Sequence, residues 1–223
     1  KLVALTPPKL TAEASLRPVP VITTEVPPAV GPAVGARLLM LGGAIPAKIA
    51  LAGLLFYLTP LALAAAGYAP AAIGRAVMIY FILITCVTPL AARWSDRYRL
   101  RLSLVVVGGM IIGGGALAGW NGGVAGTLIG IVALGIGTGL SAAALQALAN
   151  EVGTADGSIG VMAATAAFRT IERIGSAIGP LLAGTLLLAG SYGSAMAAIG
   201  GVLLLGALLL WLIFGWSQMR RAG

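Results

Sequence analysis

Three ionisable residues near position 170 have the spacing of an ion-paired or proton-carrying cluster. Arg169, Glu172 and Arg173 stand at i, i+3 and i+4, so a helix would place all three side chains on one face. Such a cluster either holds the end of a helix against its neighbours or forms a coupling or substrate site. Opposite charges beside a carboxylate favour its charged form, whereas a proton carrier has to exchange its proton near neutral pH. We therefore favour the structural interpretation and keep the second as an alternative.

The densest group of charges lies between residues 89 and 101. It comprises Arg93, Asp96, Arg97, Arg99 and Arg101, and long apolar runs flank it on both sides. Arginine concentrated in a short loop between hydrophobic segments is typical of the cytoplasmic side of a membrane. The pattern predicts a cytoplasmic gate loop, in which Asp96 pairs with Arg97 or with the end of a neighbouring helix.

Further polar residues lie inside the apolar runs or at their ends. As candidates for contact with a substrate or a cavity we consider Lys48, Tyr57, Thr59, Gln146 and Asn150. A charged side chain at the centre of a bilayer costs about 2.5–3.5 kcal/mol. Lys48 therefore either lines a polar cavity or extends its aliphatic stem to the cytoplasmic interface, and the sequence leaves both interpretations open.

The residues that most enzymes need are missing. The chain has no histidine, which removes most metal sites and most acid–base catalysis. Its one cysteine, Cys86, allows no internal disulfide. No metalloprotease, serine hydrolase or phosphate-binding motif is present. We expect no catalytic residues, no metal, no cofactor and no enzymatic activity.

The composition indicates that lipid surrounds most of the chain. Hydrophobic residues make up 59% of the 223 residues and charged residues 9%, and the mean hydropathy is +1.03. A soluble domain carries about 25% charged residues. The net charge of +8 does not indicate nucleic-acid binding, because the arginines lie mostly in loops and termini. The apolar runs predict six transmembrane spans at about residues 38–67, 73–92, 102–119, 124–148, 158–189 and 194–216.

The segments outside the membrane domain, residues 37–217, differ from it in composition. Residues 1–36 are rich in proline, which prevents a regular helix and favours an extended linker. Residues 218–223 form a short basic tail. Six crossings place both termini on one side, and the excess of Lys and Arg there predicts that this side is the cytoplasm. The proposed location is a bacterial inner membrane.

Glycine spacing predicts closely packed helices. Gly135–Gly139 and Gly175–Gly179 are among several pairs of small residues four positions apart. Helices in lipid associate by close backbone approach at such positions. Because glycine is frequent in this chain, we interpret the pairs as helix packing in general and assign none to a dimer interface.

Three segments resemble the major facilitator superfamily, specifically its C-terminal six-helix half. The segment Ala92-Arg-Trp-Ser-Asp96-Arg97-Tyr-Arg99 is similar to the Asp-Arg motif between the second and third helices of each half, with Ala92 and Arg99 where the family usually has glycine. The segment Tyr57-Leu-Thr-Pro60-Leu resembles a seventh helix of the family, and residues 169–180 resemble the start of an eleventh helix.

The resemblance implies an all-α, polytopic membrane protein whose six transmembrane helices form two three-helix inverted repeats. It implies the C-terminal half of a secondary transporter that moves a small solute by alternating access. Proton coupling is a further hypothesis that rests on Glu172. In the family the aspartate corresponding to Asp96 is thought to hold one access state. Such a half needs a second six-helix half, either upstream in the same protein or in another copy. The alternative is a non-transporting membrane anchor or sensor for a domain attached through residues 1–36.

Overall fold

A computed structural model of the chain describes residues 40–98, 101–121, 123–155 and 160–222. These residues form six long helices, each long and apolar enough to cross a membrane, which confirms the predicted number of spans. The first, α1, consists of four consecutive helical segments, Met40–Ala44, Ile45–Ala50, Leu51–Leu58 and Thr59–Ala65. The others are α2 (Pro70–Tyr98), α3 (Arg101–Ala118), α4 (Val124–Ala155), α5 (Gly160–Ala189) and α6 (Tyr192–Ala222).

Two prolines account for the segmentation of α1. Proline has no backbone N–H and its ring clashes with the carbonyl four residues earlier, so the regular bonding pattern cannot continue through it. Pro46 follows the π-helical segment Met40–Ala44, and Pro60 follows the longer π-helical segment Leu51–Leu58. At the end of this second segment the Thr59 N–H bonds to the Leu54 carbonyl, five residues back. The prolines in the first span therefore coincide with local widening of the helix.

A glycine turn ends α1 and lets α2 begin at once. Gly67 has φ of 84°, the left-handed conformation that glycine adopts without a Cβ penalty. The Gly67 N–H bonds to the Ala64 carbonyl at 2.9 Å and the Tyr68 N–H bonds to the Leu63 carbonyl at 3.1 Å. This pair of bonds is a Schellman motif, and Pro70 then occupies the favoured first position of α2.

The helices pack where glycines allow their backbones to approach. A Cβ added to Gly108 of α3 would lie 3.0 Å from the Ser141 Cβ of α4, and one added to Gly113 of α3 would lie 2.9 Å from the Gly200 carbonyl of α6. Gly135 and Gly139 of α4 lie against side chains of α2 in the same way. Close approach at glycines confirms the packing predicted from their spacing.

The helices do not contribute equally to the core. Of the apolar windows, 39% to 50% of the residues are buried in α1, α3, α4 and α6, but only 11% in α2 and 17% in α5. The main contacts join α1 to α5, α2 to α4, α3 to α4 and α3 to α6. Therefore α2 and α5 are the least covered of the six helices, and each leaves one apolar face exposed.

Several helices extend beyond the predicted membrane spans. Arg93, Asp96 and Arg97 belong to the last turns of α2, and Arg101 is the first residue of α3, so the predicted loop is mostly helical; Arg99 lies outside the described residues. Likewise α4 continues to Ala155, and α6 runs from Tyr192 into the predicted tail. A helix ends where its capping and propensity end, whereas hydropathy marks only where the lipid-compatible part ends.

Candidate functional site

The central feature of the candidate site is the crossing of α1 and α5. Buried residues of α5 follow one stripe, Ala164, Phe168, Gly175, Gly179 and Ala183. A Cβ on Gly175 would lie 3.0 Å from the Ile45 carbonyl and 3.0 Å from the Lys48 Cβ, and one on Gly179 would lie 2.8 Å from the Ile49 carbonyl. Because the two backbones touch over two turns, ionisable side chains beside the glycines are brought into contact.

Glu172 is placed on this buried stripe and joins cations from both helices. Its Oε1 atom lies 3.3 Å from Lys48 Nζ of α1. Its Oε2 atom accepts a hydrogen bond from Arg169 Nη1 at 3.0 Å. The Glu172 side chain is 14% exposed, compared with 28% for Lys48 and 60% for Arg169. One largely buried carboxylate therefore bridges two cations, and the Lys48 contact is the one that ties α1 to α5.

Arg173 does not join this bridge. It is exposed, and within the described ranges no ion pair involves it. The reason is that Arg173 belongs to a different stripe of α5, one that is exposed. This stripe consists of Ala166, Thr170, Arg173, Ala177, Leu181 and Thr185. The predicted three-residue cluster is thus divided between the two sides of α5.

A second ion pair lies where α2 ends and α3 begins. Arg101 Nη2 lies 3.5 Å from Asp96 Oδ1, and the Asp96 side chain is 75% exposed. The pair therefore links two successive helix ends across the short connection between them, and Arg93 lies exposed in the same region. Arg97 also has an interaction partner in this structure. Exposed pairs of this kind contribute about 0–1 kcal/mol to stability.

A neutral polar link joins α4 to α5. Asn150 Oδ1 accepts a hydrogen bond from Thr165 Oγ1 of α5 at 2.9 Å and another from Gln146 Nε2 of α4 at 3.2 Å. The Gln146 Oε1 atom is buried and has no hydrogen-bond partner in the described structure. Gln146 and Asn150 were both candidates from the sequence, and the structure brings them together.

Tyr57 and Thr59, the other two candidates, lie further along α1. Tyr57 is partly buried against the core, and a Cβ on Gly184 of α5 would lie 3.2 Å from its hydroxyl oxygen. Thr59 is 3% exposed. Tyr57 thus lies beside α5, as Lys48 does, whereas Thr59 is buried in the core.

The described residues contain no group of three or more Cys, Asp or Glu side chains placed to hold a metal ion. The polar contacts of this site are ion pairs and hydrogen bonds. Its parts are a charged bridge between α1 and α5, a polar link between α4 and α5, and an ion pair between consecutive helix ends.

The family model described as Major Facilitator Superfamily matches residues 28–221. The chain belongs to the major facilitator superfamily. That family comprises membrane transporters rather than enzymes, so the protein is a multi-pass membrane protein of transport function. No curated protein and no solved structure gives a significant match.

Two contacts in this candidate site were not predicted from the sequence. The pairing of Lys48 with Glu172 joins residues far apart in the chain, and its only sequence signal was one unmatched cation in the first span and one carboxylate in the fifth. Thr165 was not a candidate, although it lies seven residues before Glu172 and so shares a helical face with it. Both partners are set by the packing of α5 against its neighbours.

Proposed function

We propose that this chain is the C-terminal half of a secondary transporter of the major facilitator superfamily, moving a small solute by alternating access. In such a transporter two six-helix halves rock against each other around a central cavity. In this proposal the protein lies in the inner membrane with both termini in the cytoplasm. The arginine-rich connection from the end of α2 to the start of α3 marks the cytoplasmic side.

The observation that carries the proposal is the low burial of α2 and α5, each of which leaves an apolar face uncovered. These two spans are the least buried of the six, yet Arg75 of α2 and Arg173 of α5 are exposed. Arginine within a span faces a protein interior or water rather than lipid. A face that is apolar, charged in places and uncovered therefore supports a second six-helix half beside it, with a water-accessible cavity between the two.

The contact pattern supports an arrangement in two inverted repeats. If α1, α2 and α3 correspond to α4, α5 and α6, the α1–α5 contact corresponds to the α4–α2 contact, and the α3–α4 contact corresponds to the α6–α1 contact. All four are present. The buried shares correspond as well: 11% for α2 and 17% for α5, 44% for α1 and 50% for α4.

In this proposal the bridge at Glu172 lets the half move as one body. Lys48 belongs to the first repeat and Glu172 to the second, so their ion pair joins the two repeats near the cytoplasmic end. When two rigid halves rock, the contacts between them change while the contacts within each half have to remain intact. The partly buried position of Glu172 between two cations supports this structural role.

Spin labels would test the second half directly. In the full-length protein with Cys86 replaced by serine, one label replaces Leu181 of α5, which is 70% exposed, and a matched label replaces Leu205 of α6, which is 65% exposed. We expect the label at 205 to be relaxed strongly by lipid-dissolved oxygen and the label at 181 to be shielded from it. Equal oxygen access at both positions would show that α5 faces lipid and that no second half covers it.

Transport, topology and coupling need separate measurements. Solute uptake by vesicles containing the full-length protein tests transport, and complete inactivity would favour the anchor or sensor alternative. A cysteine at Arg97 should react with an impermeant maleimide only from the cytoplasmic side. The variant Glu172→Gln tests proton coupling, because unchanged proton-driven uptake would exclude this carboxylate as the proton carrier.

A further inference from the structure

Arg173 is an exposed cation whose position in its span requires a polar neighbour. It precedes the end of the span at Ala189 by a distance of about 24 Å at 1.5 Å per residue, within a hydrocarbon layer of about 30 Å. No ion pair within the described ranges neutralises it. Arg173 therefore lies within about 6 Å of the other edge of this layer, where a guanidinium group faces water, a lipid headgroup or a group of opposite charge rather than hydrocarbon.

The helices that meet at this site carry an excess of positive charge. Across α1 and α5 the ionisable side chains are Lys48, Arg169 and Arg173 against the single carboxylate Glu172, three positive charges to one negative. Glu172 is already bonded to two of the three cations. The cluster therefore has a net positive charge that can bind an anion. The third cation, Arg173, lies on the exposed side of α5.

A second exposed arginine lies on the other poorly buried helix, α2. Arg75 is exposed near the start of α2, at the opposite end of the span from Arg93. Within the ranges that the structure describes, no ion pair involves Arg75. Clefts lined by charge of one sign concentrate ligands of the opposite sign, and each of the two poorly buried helices carries an exposed cation.

Among the residues whose side chains the structure describes, no unpaired carboxylate is available for a cationic solute. Asp96 and Glu172 are the carboxylates whose side chains are described, and both are paired, Asp96 with Arg101 and Glu172 with Lys48 and Arg169. A cationic solute at the α1–α5 crossing would meet net positive charge at close range, which is repulsive. The charge balance of α1 and α5 thus favours an anionic solute over a cationic one.

We propose that the transported solute is a small organic anion, a carboxylate or a phosphate ester, and that Arg173 binds its charged group. This inference rests on the proposed transport function and specifies its substrate class. Guanidinium groups bind both kinds of anion through two parallel N–H···O bonds. The paired cations Lys48 and Arg169 keep Glu172 from competing for Arg173.

The test uses the purified full-length protein and a defined set of probes. Thermal unfolding is followed with succinate, benzoate and glycerol 3-phosphate as anions, glucose as a neutral solute and tetraphenylphosphonium as a cation. We expect at least one anion to raise the unfolding temperature, and Arg173→Gln to weaken its apparent affinity about 10- to 100-fold. Arg173→Lys should recover part of the affinity. Thr185→Val, on the same exposed face with its hydroxyl bonded to the Leu182 carbonyl, should leave it unchanged.

Other outcomes overturn the inference in distinguishable ways. Vesicle uptake of the cation or of glucose, with no anion effect, would refute the substrate class but leave the transport function intact. Anion binding that Arg173→Gln does not weaken would show that Arg173 pairs with a carboxylate of the second half instead. Stabilisation by phosphatidylglycerol alone, lost in Arg173→Gln, would assign the arginine to a lipid headgroup. No uptake of any probe and no thermal shift would count against both proposals.

Discussion

Replacing Gly179 with alanine should separate α1 from α5. A Cβ at this position would lie 2.8 Å from the Ala52 Cβ, 2.8 Å from the Ile49 carbonyl oxygen and 2.9 Å from the Gly53 nitrogen. Two of these three atoms belong to the backbone of α1, so a change of side-chain rotamer cannot relieve the clash. The whole helix has to move.

The size of the effect follows from those distances. Ordinary van der Waals contact begins near 3.4 Å, so α1 and α5 must move apart by about 0.6 Å, from 2.8 Å to 3.4 Å. Inserting a methyl group into a well-packed contact costs about 1–3 kcal/mol. For a chain of this length each kcal/mol lowers the unfolding temperature by about 2–4 °C. We expect Gly179→Ala to lower it by about 2–12 °C.

Thermal unfolding of the full-length protein measures this effect, with Gly114→Ala as the matched control. Gly114 also lies within a membrane-spanning helix, α3, but an added Cβ there meets nothing within 4 Å. The control should unfold at the wild-type temperature or up to about 4 °C higher, since alanine favours the helix by about 1 kcal/mol. If both variants shifted equally, the backbone contact between α1 and α5 would not be what limits substitution at Gly179.

Three other predictions concern the polar contacts between helices. A double-mutant cycle with Lys48→Met and Glu172→Gln should give a coupling of about 1–2 kcal/mol, because a largely buried carboxylate loses a charged partner; a coupling near zero in reversible unfolding would contradict the bridge. Asp96→Asn should change stability by less than about 1 kcal/mol, since its side chain is 75% exposed, and a larger loss on denaturant unfolding would indicate a contact beyond the ion pair. Thr165→Val should cost about 0.5–1.5 kcal/mol through loss of its bond to Asn150. The same substitution in an Asn150→Ala background should then cost much less.

The ends of the helices show where sequence reasoning was limited. Hydropathy located the six spans, but it ended the second span before Arg93, although the helix continues to Tyr98. A helix is a local hydrogen-bonded structure that continues from lipid into water without interruption. The sequence therefore predicted which segments suit a membrane better than it predicted where the helices end.

The charged residues near position 170 show a second limit. Their i, i+3, i+4 spacing predicted a shared face, and Arg169 does bond to Glu172. The same spacing did not show that Arg173 would be exposed, because that depends on which face of α5 meets α1. Only the approach at Gly175 and Gly179 sets that rotation.

By itself, the sequence determined that lipid surrounds most of the chain. It also determined the number of spans, the family resemblance and the distribution of positive charge. These properties are local, since each depends on the composition of a continuous segment. The tertiary structure decided which distant side chains pair, above all Lys48 with Glu172, and which faces stay uncovered, those of α2 and α5. Both depend on how helices cross, and a crossing is set by close backbone contacts between segments far apart in the chain.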